Sequence, residues 1–346
     1  MSVTVMIPHL DAPPLQHGGD LAMARRLFPG APQPFIDLST GINPYPYPLP
    51  PIPSGAFARL PDAEAQMRLA EIAARTYGAP SAAHVALAPG SQILLPLVAG
   101  LVPAGRATIL GPTYSEHARA AGLAGHEVTE AADIEQLRHA DLAVIANPNN
   151  PDGRIIAKDR LLALAQELKN RAGLLVIDEA FMDVGPPEGS LAGETDRGNI
   201  VVLRSFGKFF GLAGLRLGFA LAAPRLAATL NASLGPWAVS GPAIAIGERA
   251  LADTAWMEAT RERLATAAEK FDRMLVELDV EVVGGTSLFR LARTSCAEEL
   301  FGRLGNAGIV ARAFREQPAW LRFGLPSEAD WDCLRSRFGT VRSGSS

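Results

Sequence analysis

The chain is 346 residues long, 48% apolar and 20% charged, with 32 basic against 36 acidic side chains. That apolar content is ample for a packed core and excludes global disorder; at about 100–200 residues per domain it suggests two or three units, or one large domain with a smaller companion. A net charge of −4 and a pI near 5.9 supply no basic stripe for nucleic acid or an anionic membrane.

The first sixty residues are rich in Pro and Gly, including Pro44-Tyr45-Pro46-Tyr47-Pro48. Proline fixes φ and removes a donor, so this stretch reads as an extended, wrapping arm without regular elements. Asp62 is placed to cap a helix running through Tyr77, with Gly78 as its stop. Short continuous apolar runs follow at Val85–Ala88, Ala107–Leu110, Leu142–Ala146, Leu174–Ile177, Ile200–Leu203 and Leu217–Leu221. Runs of that length without alternation are how strands buried on both faces read. Helical patterns lie between several of them, the clearest with Asp159 as N-cap and Leu161, Leu162, Ala165 and Leu168 on one face. Strand and helix in alternation predict an α/β fold, a three-layer α/β/α domain around a mostly parallel sheet.

After about residue 240 the pattern changes. It predicts a long helix over Trp256–Leu278, strands at Val280–Val283 and Ser287–Leu291, and a helix over Ala297–Ala307. A strand near Ile309 and a closing helix from Ser327 complete a smaller α+β domain. The expected boundaries are an arm over 1–47 packing with the small domain, a large domain over 48–240 and the small domain over 241–346.

Two cysteines, Cys296 and Cys333, make neither a disulfide framework nor a thiolate zinc site. The histidines (His9, His17, His84, His117, His126, His139) lack i, i+4 spacing, so no metal site is expected. The segment MSVTVMIPHLDAPP does not read as a signal peptide. The longest apolar run, Ile93–Val102, is broken by Pro96 and is half the roughly 20 residues of a membrane span. A cytoplasmic location is the expectation.

Four segments could carry chemistry. Ser205-Phe206-Gly207-Lys208-Phe209-Phe210-Gly211 directly follows a buried strand. A lysine desolvated among phenylalanines has a lowered pKa, which suits Schiff-base chemistry; Gly207-Lys208 is not a Walker A pair, because Val202 stands where that loop needs glycine. Asp178-Glu179-Ala180-Phe181 ends another strand, where an acid could bind metal, cap a helix or pair with a cationic cofactor. Asn147-Pro148-Asn149-Asn150-Pro151-Asp152-Gly153 taken alone is a turn. Pro89-Gly90-Ser91-Gln92 could present backbone N–H groups to an anion. Together a phosphate cradle, an asparagine, an acid and a lysine at strand ends are the inventory for pyridoxal 5′-phosphate.

On these motifs the chain resembles the fold-type I pyridoxal-phosphate enzymes of the aspartate aminotransferase superfamily over nearly its full length. Asn-Pro-x-Asn-Pro-x-Gly, Asp-Glu-Ala, and Ser-x-x-Lys followed eight residues later by Arg match that group in order and spacing. The resemblance implies Lys208 as the catalytic lysine, Asp178 as partner of the ring nitrogen, Asn150 as donor to the phenolic oxygen and Tyr114 stacked on the ring. It further implies Gly90, Ser91, Gln92, Ser205 and Arg216 around the cofactor phosphate. Leu212–Arg216 is similar to the histidinol-phosphate aminotransferase branch. The arm His17-Gly18-Gly19-Asp20, with Asp37 to Pro44 after it, and Phe181 where aminotransferases have tyrosine are similar instead to the threonine-phosphate decarboxylase branch.

That second likeness implies a lyase of cobalamin biosynthesis, decarboxylating L-threonine O-3-phosphate to (R)-1-amino-2-propanol O-2-phosphate. His17, Gly41, Asn150, Arg312 and Arg322 would bind the substrate, although His17 reads equally as a structural cap. Transamination of histidinol phosphate or an aromatic amino acid stays open, as does a non-catalytic cofactor-binding module. A homodimer is implied too, although Leu60-Pro61-Asp62 lacks the tyrosine with which the family often reaches the partner's cofactor phosphate.

Overall fold

The computed structural model describes residues 18–343, so His17 lies outside the described residues. The arm is more regular than its proline content predicts. Asp20 caps a helix over Leu21–Leu27 by accepting from the Met23 amide, and a two-residue strand, β1 (Ile36–Asp37), follows. The arm's described prolines fall in the two stretches without helix or strand, 28–35 and 38–54.

The six apolar runs form β2 (Val85–Ala88), β3 (Arg106–Leu110), β5 (Leu142–Ala146), β6 (Leu174–Asp178), β7 (Ile200–Ser205) and β8 (Gly218–Ala222), and β4 (Glu127–Ala131) joins them. The sheet order is β2-β8-β7-β6-β5-β3-β4. Strands β4, β3, β5, β6 and β7 are mutually parallel, and β8 runs against both of its neighbours. Along β5, Ala143 and Ile145 join one core cluster while Leu142 and Val144 join another. Alternate side chains are therefore buried on opposite faces, which is why the runs are continuous. The unforeseen β4 reads Glu-Val-Thr-Glu-Ala and lies at the sheet edge, with no apolar run to betray it.

The helix over Ala63–Tyr77 is bounded as its sequence dictates: the Asp62 carboxylate accepts from the Ala65 amide at 2.6 Å and Gly78 takes φ 78°. In the helix over Lys158–Lys169 the cap is Ala157, not Asp159, which sits in the first turn where its charge meets the helix dipole. Its buried stripe is Leu161, Leu164, Ala165 and Leu168, with Leu162 rotated to the margin.

Beyond residue 240 a helix over Gly241–Ala252 leads to the long helix Thr254–Val276, two residues earlier than its pattern suggests. Strands β9 (Glu281–Thr286) and β10 (Phe289–Arg293) follow. The helix Ala297–Asn306 comes next, then β11 (Ile309–Val310), β12 (Arg312–Ala313) and β13 (Trp320–Gly324). The small sheet is antiparallel in the order β12-β13-β10-β9, and β11 pairs in parallel with β1, tying the arm to this region. A closing helix spans Trp331–Ser343.

Candidate active site

The carboxyl ends of parallel strands form one rim, the place where open α/β sheets build sites. Tyr114 follows β3, Asn150 follows β5, Asp178 closes β6, and Ser205 with Lys208 follow the body of β7. Because β8 is reversed, its beginning lies at that same rim and brings Arg216 there. Gly90 and Ser91, after β2, pack against it. A Cβ on Gly218 would stand 2.3 Å from the Ser91 amide nitrogen, and one on Gly90 would stand 2.5 Å from Arg216 Nη2. Gly90 takes φ 92°, so both its backbone and its missing side chain serve the close approach of the guanidinium.

Lys208 sits in a single helical turn, Phe206–Phe209, entered from β7. The arm locks that turn: the Asn43 amide donates to the Lys208 carbonyl at 2.9 Å, and Asn43 Nδ2 donates to the Phe209 carbonyl at 2.7 Å. Burial, reinforced by the Arg322 charge and opposed by Asp178, lowers the amine pKa to about 8. Among the described residues no carboxylate lies within ion-pair distance of Nζ, which stands 5.6 Å from the centre of the Phe181 ring.

Asp178 accepts from the Ala180 amide through Oδ1, and its Oδ2 lies 3.0 Å from Nε2 of buried His117, close enough for an ion pair though out of hydrogen-bond alignment. His117 has no second histidine at metal-binding spacing to mark it in the sequence. Its signal is its place one turn after Tyr114, at the start of the helix Glu116–Leu123. The Tyr114 hydroxyl donates to Gln92 Oε1 at 3.0 Å, and Gln92 Nε2 donates to Glu116. Burial, with Glu116 and Asp178 adding to it, raises the phenol to about 12, so it stays a neutral donor at ordinary pH.

On the small-domain side Arg322 projects from β13 with Nη1 donating to Asn150 Oδ1 at 2.5 Å and Nη2 to the Ser39 carbonyl at 2.9 Å. Its Nε is buried without a hydrogen-bond partner. Burial and the charge of Arg312 lower its pKa to about 10, still protonated at neutral pH. Arg312, on β12, has a pKa lowered by burial against a raising contribution from Tyr114. A Cβ on Gly41 would meet Phe181 at 3.0 Å and Phe289 at 3.1 Å, so Gly41 backs an edge-to-face ring pair 4.9 Å apart, beside Lys208. Ser39 and Phe289 belong to this wall and carry no local signal, since burial brings them in from remote parts of the chain. Gln92 differs from its expected place, because both ends of its amide are engaged by Tyr114 and Glu116.

The model of a family described as aminotransferase class I and II matches residues 54–338. The chain belongs to that family. It is similar to a threonine-phosphate decarboxylase of a Sinorhizobium species, 42% identical over 92% of this chain and 96% of its own length. A threonine-phosphate decarboxylase of Pseudomonas aeruginosa is also 42% identical, over 92% of this chain and 95% of its own. Among solved class I and II folds, a histidinol-phosphate aminotransferase from Sinorhizobium meliloti in complex with pyridoxal 5′-phosphate superposes with a TM-score of 0.82. It is 21% identical, with 99% of each chain covered.

Proposed function

We propose that this chain is a pyridoxal-phosphate-dependent carboxy-lyase. It converts L-threonine O-3-phosphate to CO₂ and (R)-1-amino-2-propanol O-2-phosphate, a step of cobalamin biosynthesis. The observation that carries this reading is 42% identity with threonine-phosphate decarboxylases along 92% of the chain, which an aminotransferase fold alone would not favour.

The residues present fit the cofactor. An amine with a pKa near 8, a carboxylate braced by His117, and a glycine cradle closed by Arg216 match its aldehyde, ring nitrogen and phosphate. The chemistry bound pyridoxal phosphate supplies is an electron sink for the pair released when the Cα–carboxylate bond breaks. In this reading Lys208 would hold the cofactor and deliver a proton to Cα in place of the departing CO₂, a task served by a pKa near working pH. Asp178 keeps the ring nitrogen protonated, and Asn150 directs its free amide hydrogens to the phenolic oxygen while Arg322 occupies its carbonyl. Tyr114 covers the ring; Gly90, Ser91, Ser205 and the backbone of Gln92 join Arg216 at the phosphate.

Arg312 and Arg322 offer two guanidinium forks for the two anionic groups of a phosphorylated amino acid, and bidentate geometry selects for them. Gly41 lets the Phe181 and Phe289 rings close against its backbone, where a side chain would push them apart. The protein acts in the cytoplasm as a homodimer in this proposal; Leu49, Phe57, Leu60 and Met67 are exposed apolar side chains that a second copy could cover.

The test is incubation of the pyridoxal-phosphate-loaded protein with L-threonine O-3-phosphate. Stoichiometric CO₂ and amino-propanol phosphate are expected without added oxo acid. No CO₂, with histidinol phosphate consumed only when 2-oxoglutarate is present, would transfer the assignment to an aminotransferase. A visible band near 410–430 nm that survives Lys208→Ala would remove Lys208 from its role.

A further inference from the structure

The strand ends that carry Asp178 and Lys208 have a second face, and it is charged. Side chains alternate along β6 and β7, so Asp178 and Ser205 point one way while Glu179 and Arg204 point the other. Arg204 is buried between two carboxylates, its Nη1 donating to Glu179 Oε2 at 3.0 Å and its Nη2 to Asp183 Oδ1 at 2.6 Å. Its guanidinium lies 4.3 Å from the centre of the Tyr77 ring. Glu179 also accepts from Ser190 Oγ at 2.7 Å and the Leu191 amide at 2.8 Å. Arg261 donates Nε to the Asp183 carbonyl at 2.7 Å and lies 5.4 Å from the centre of the Phe209 ring, next to Lys208.

Stability does not account for this cluster. Burying two carboxylates against one guanidinium is commonly no better than packing apolar side chains there. The cluster is also incompletely satisfied, since Asp183 Oδ2 and Arg204 Nε have no hydrogen-bond partner among the described residues. Its location is informative. The Glu179 amide donates to the Leu203 carbonyl at 2.9 Å, and past that rung the two chains part, one toward Phe181 and the other toward Lys208. The Arg204–Glu179 pair crosses the same two strands one step further on.

We infer that Arg204, clamped by Glu179 and Asp183, is a positioning residue that keeps the Asp178-bearing and Lys208-bearing strand ends at the separation the cofactor requires. The inference rests on the cofactor reading above. It assigns Arg204 no contact with substrate or cofactor; the arginine acts through the backbone on either side.

The experiment uses two variants of the full chain. Arg204→Lys keeps the charge and loses the two-pronged fork; Arg204→Met with Glu179→Gln and Asp183→Asn removes all three charges and leaves no buried ion uncompensated. Each is compared with wild type for pyridoxal-phosphate dissociation constant, for the pH midpoint of the bound cofactor's visible band, and for cooperative melting of the apoprotein. Both variants are expected to melt cooperatively while binding the cofactor about 10–100-fold more weakly, the range typical when a partner that orients a ligand-binding group is lost, with a displaced pH midpoint. Binding within twofold of wild type and an unmoved midpoint in a folded variant would overturn the inference while leaving the cofactor reading intact. A wild type that binds no pyridoxal phosphate overturns both.

Should neither variant fold, amide hydrogen exchange in the wild type decides. Cofactor addition must slow exchange at Leu191, whose amide is bonded to Glu179 on the far side of the cluster, and unchanged exchange there refutes the inference.

Discussion

Lys208 and Arg204 are cations four residues apart, on either side of one strand end, and their surroundings drive them in opposite directions. Arg204 has Glu179 and Asp183 in contact and is pushed further above its ordinary pKa despite burial. Among the described residues Lys208 has no carboxylate in contact; it feels Arg322 and falls to about 8. Burial is common to both; the partner decides whether a buried cation stays charged or becomes a reactive amine.

The largest effect that separates them is on stability. Arg204→Ala leaves two buried carboxylates unpaired and is expected to cost about 3–5 kcal/mol, read by denaturant unfolding of the apoprotein. Lys208→Met takes away an unpaired buried ammonium, and at pH 7 it is expected to leave the apoprotein as stable as wild type or more so. Equal losses from the two substitutions would erase the contrast.

The next test is pH. The folded-state pKa of Lys208 lies below its ordinary 10.5, so the unfolded chain holds more protons between about 8 and 10.5. The cost of burying this ammonium is therefore full below about 8 and gone above 10.5, and apoprotein stability from this group rises with pH across that window. Any advantage of Lys208→Met over wild type should shrink between pH 7.5 and pH 10, whereas Arg204→Ala should keep its deficit. An advantage that does not change with pH would show that the amine titrates normally. The smallest effect concerns Arg216, a third cation at the same rim. Gly90→Ala introduces a Cβ against Nη2 at a φ that side chains rarely adopt, and should cost about 1–3 kcal/mol, seen as a lower melting temperature with weakened cofactor binding.

Much of this was legible in the chain because strands and helix ends announce themselves locally. Six apolar runs became six strands of the large sheet, Asp62 and Gly78 bounded their helix, and the segments bearing Gly90, Asn150, Asp178 and Lys208 fell at one rim. Local signals failed where neighbours in space replace neighbours in sequence. Strand β4 is polar because only its partner on one side shields it, and β13 went unforeseen although it carries Arg322. His117 looked like one scattered histidine until the fold set it against Asp178.

By itself the sequence determined the α/β class, the order of strand ends and the identity of the residues standing on them, since period, turn chemistry and caps act over a few residues. Only the tertiary structure decided which charges meet. Arg322 reaches Asn150 across 172 positions and Ser39 across 283, and Arg204 finds its two carboxylates more than twenty residues away. Burial and electrostatic partnership set the pKa of each group, and both are properties of proximity in space, which no stretch of chain carries alone.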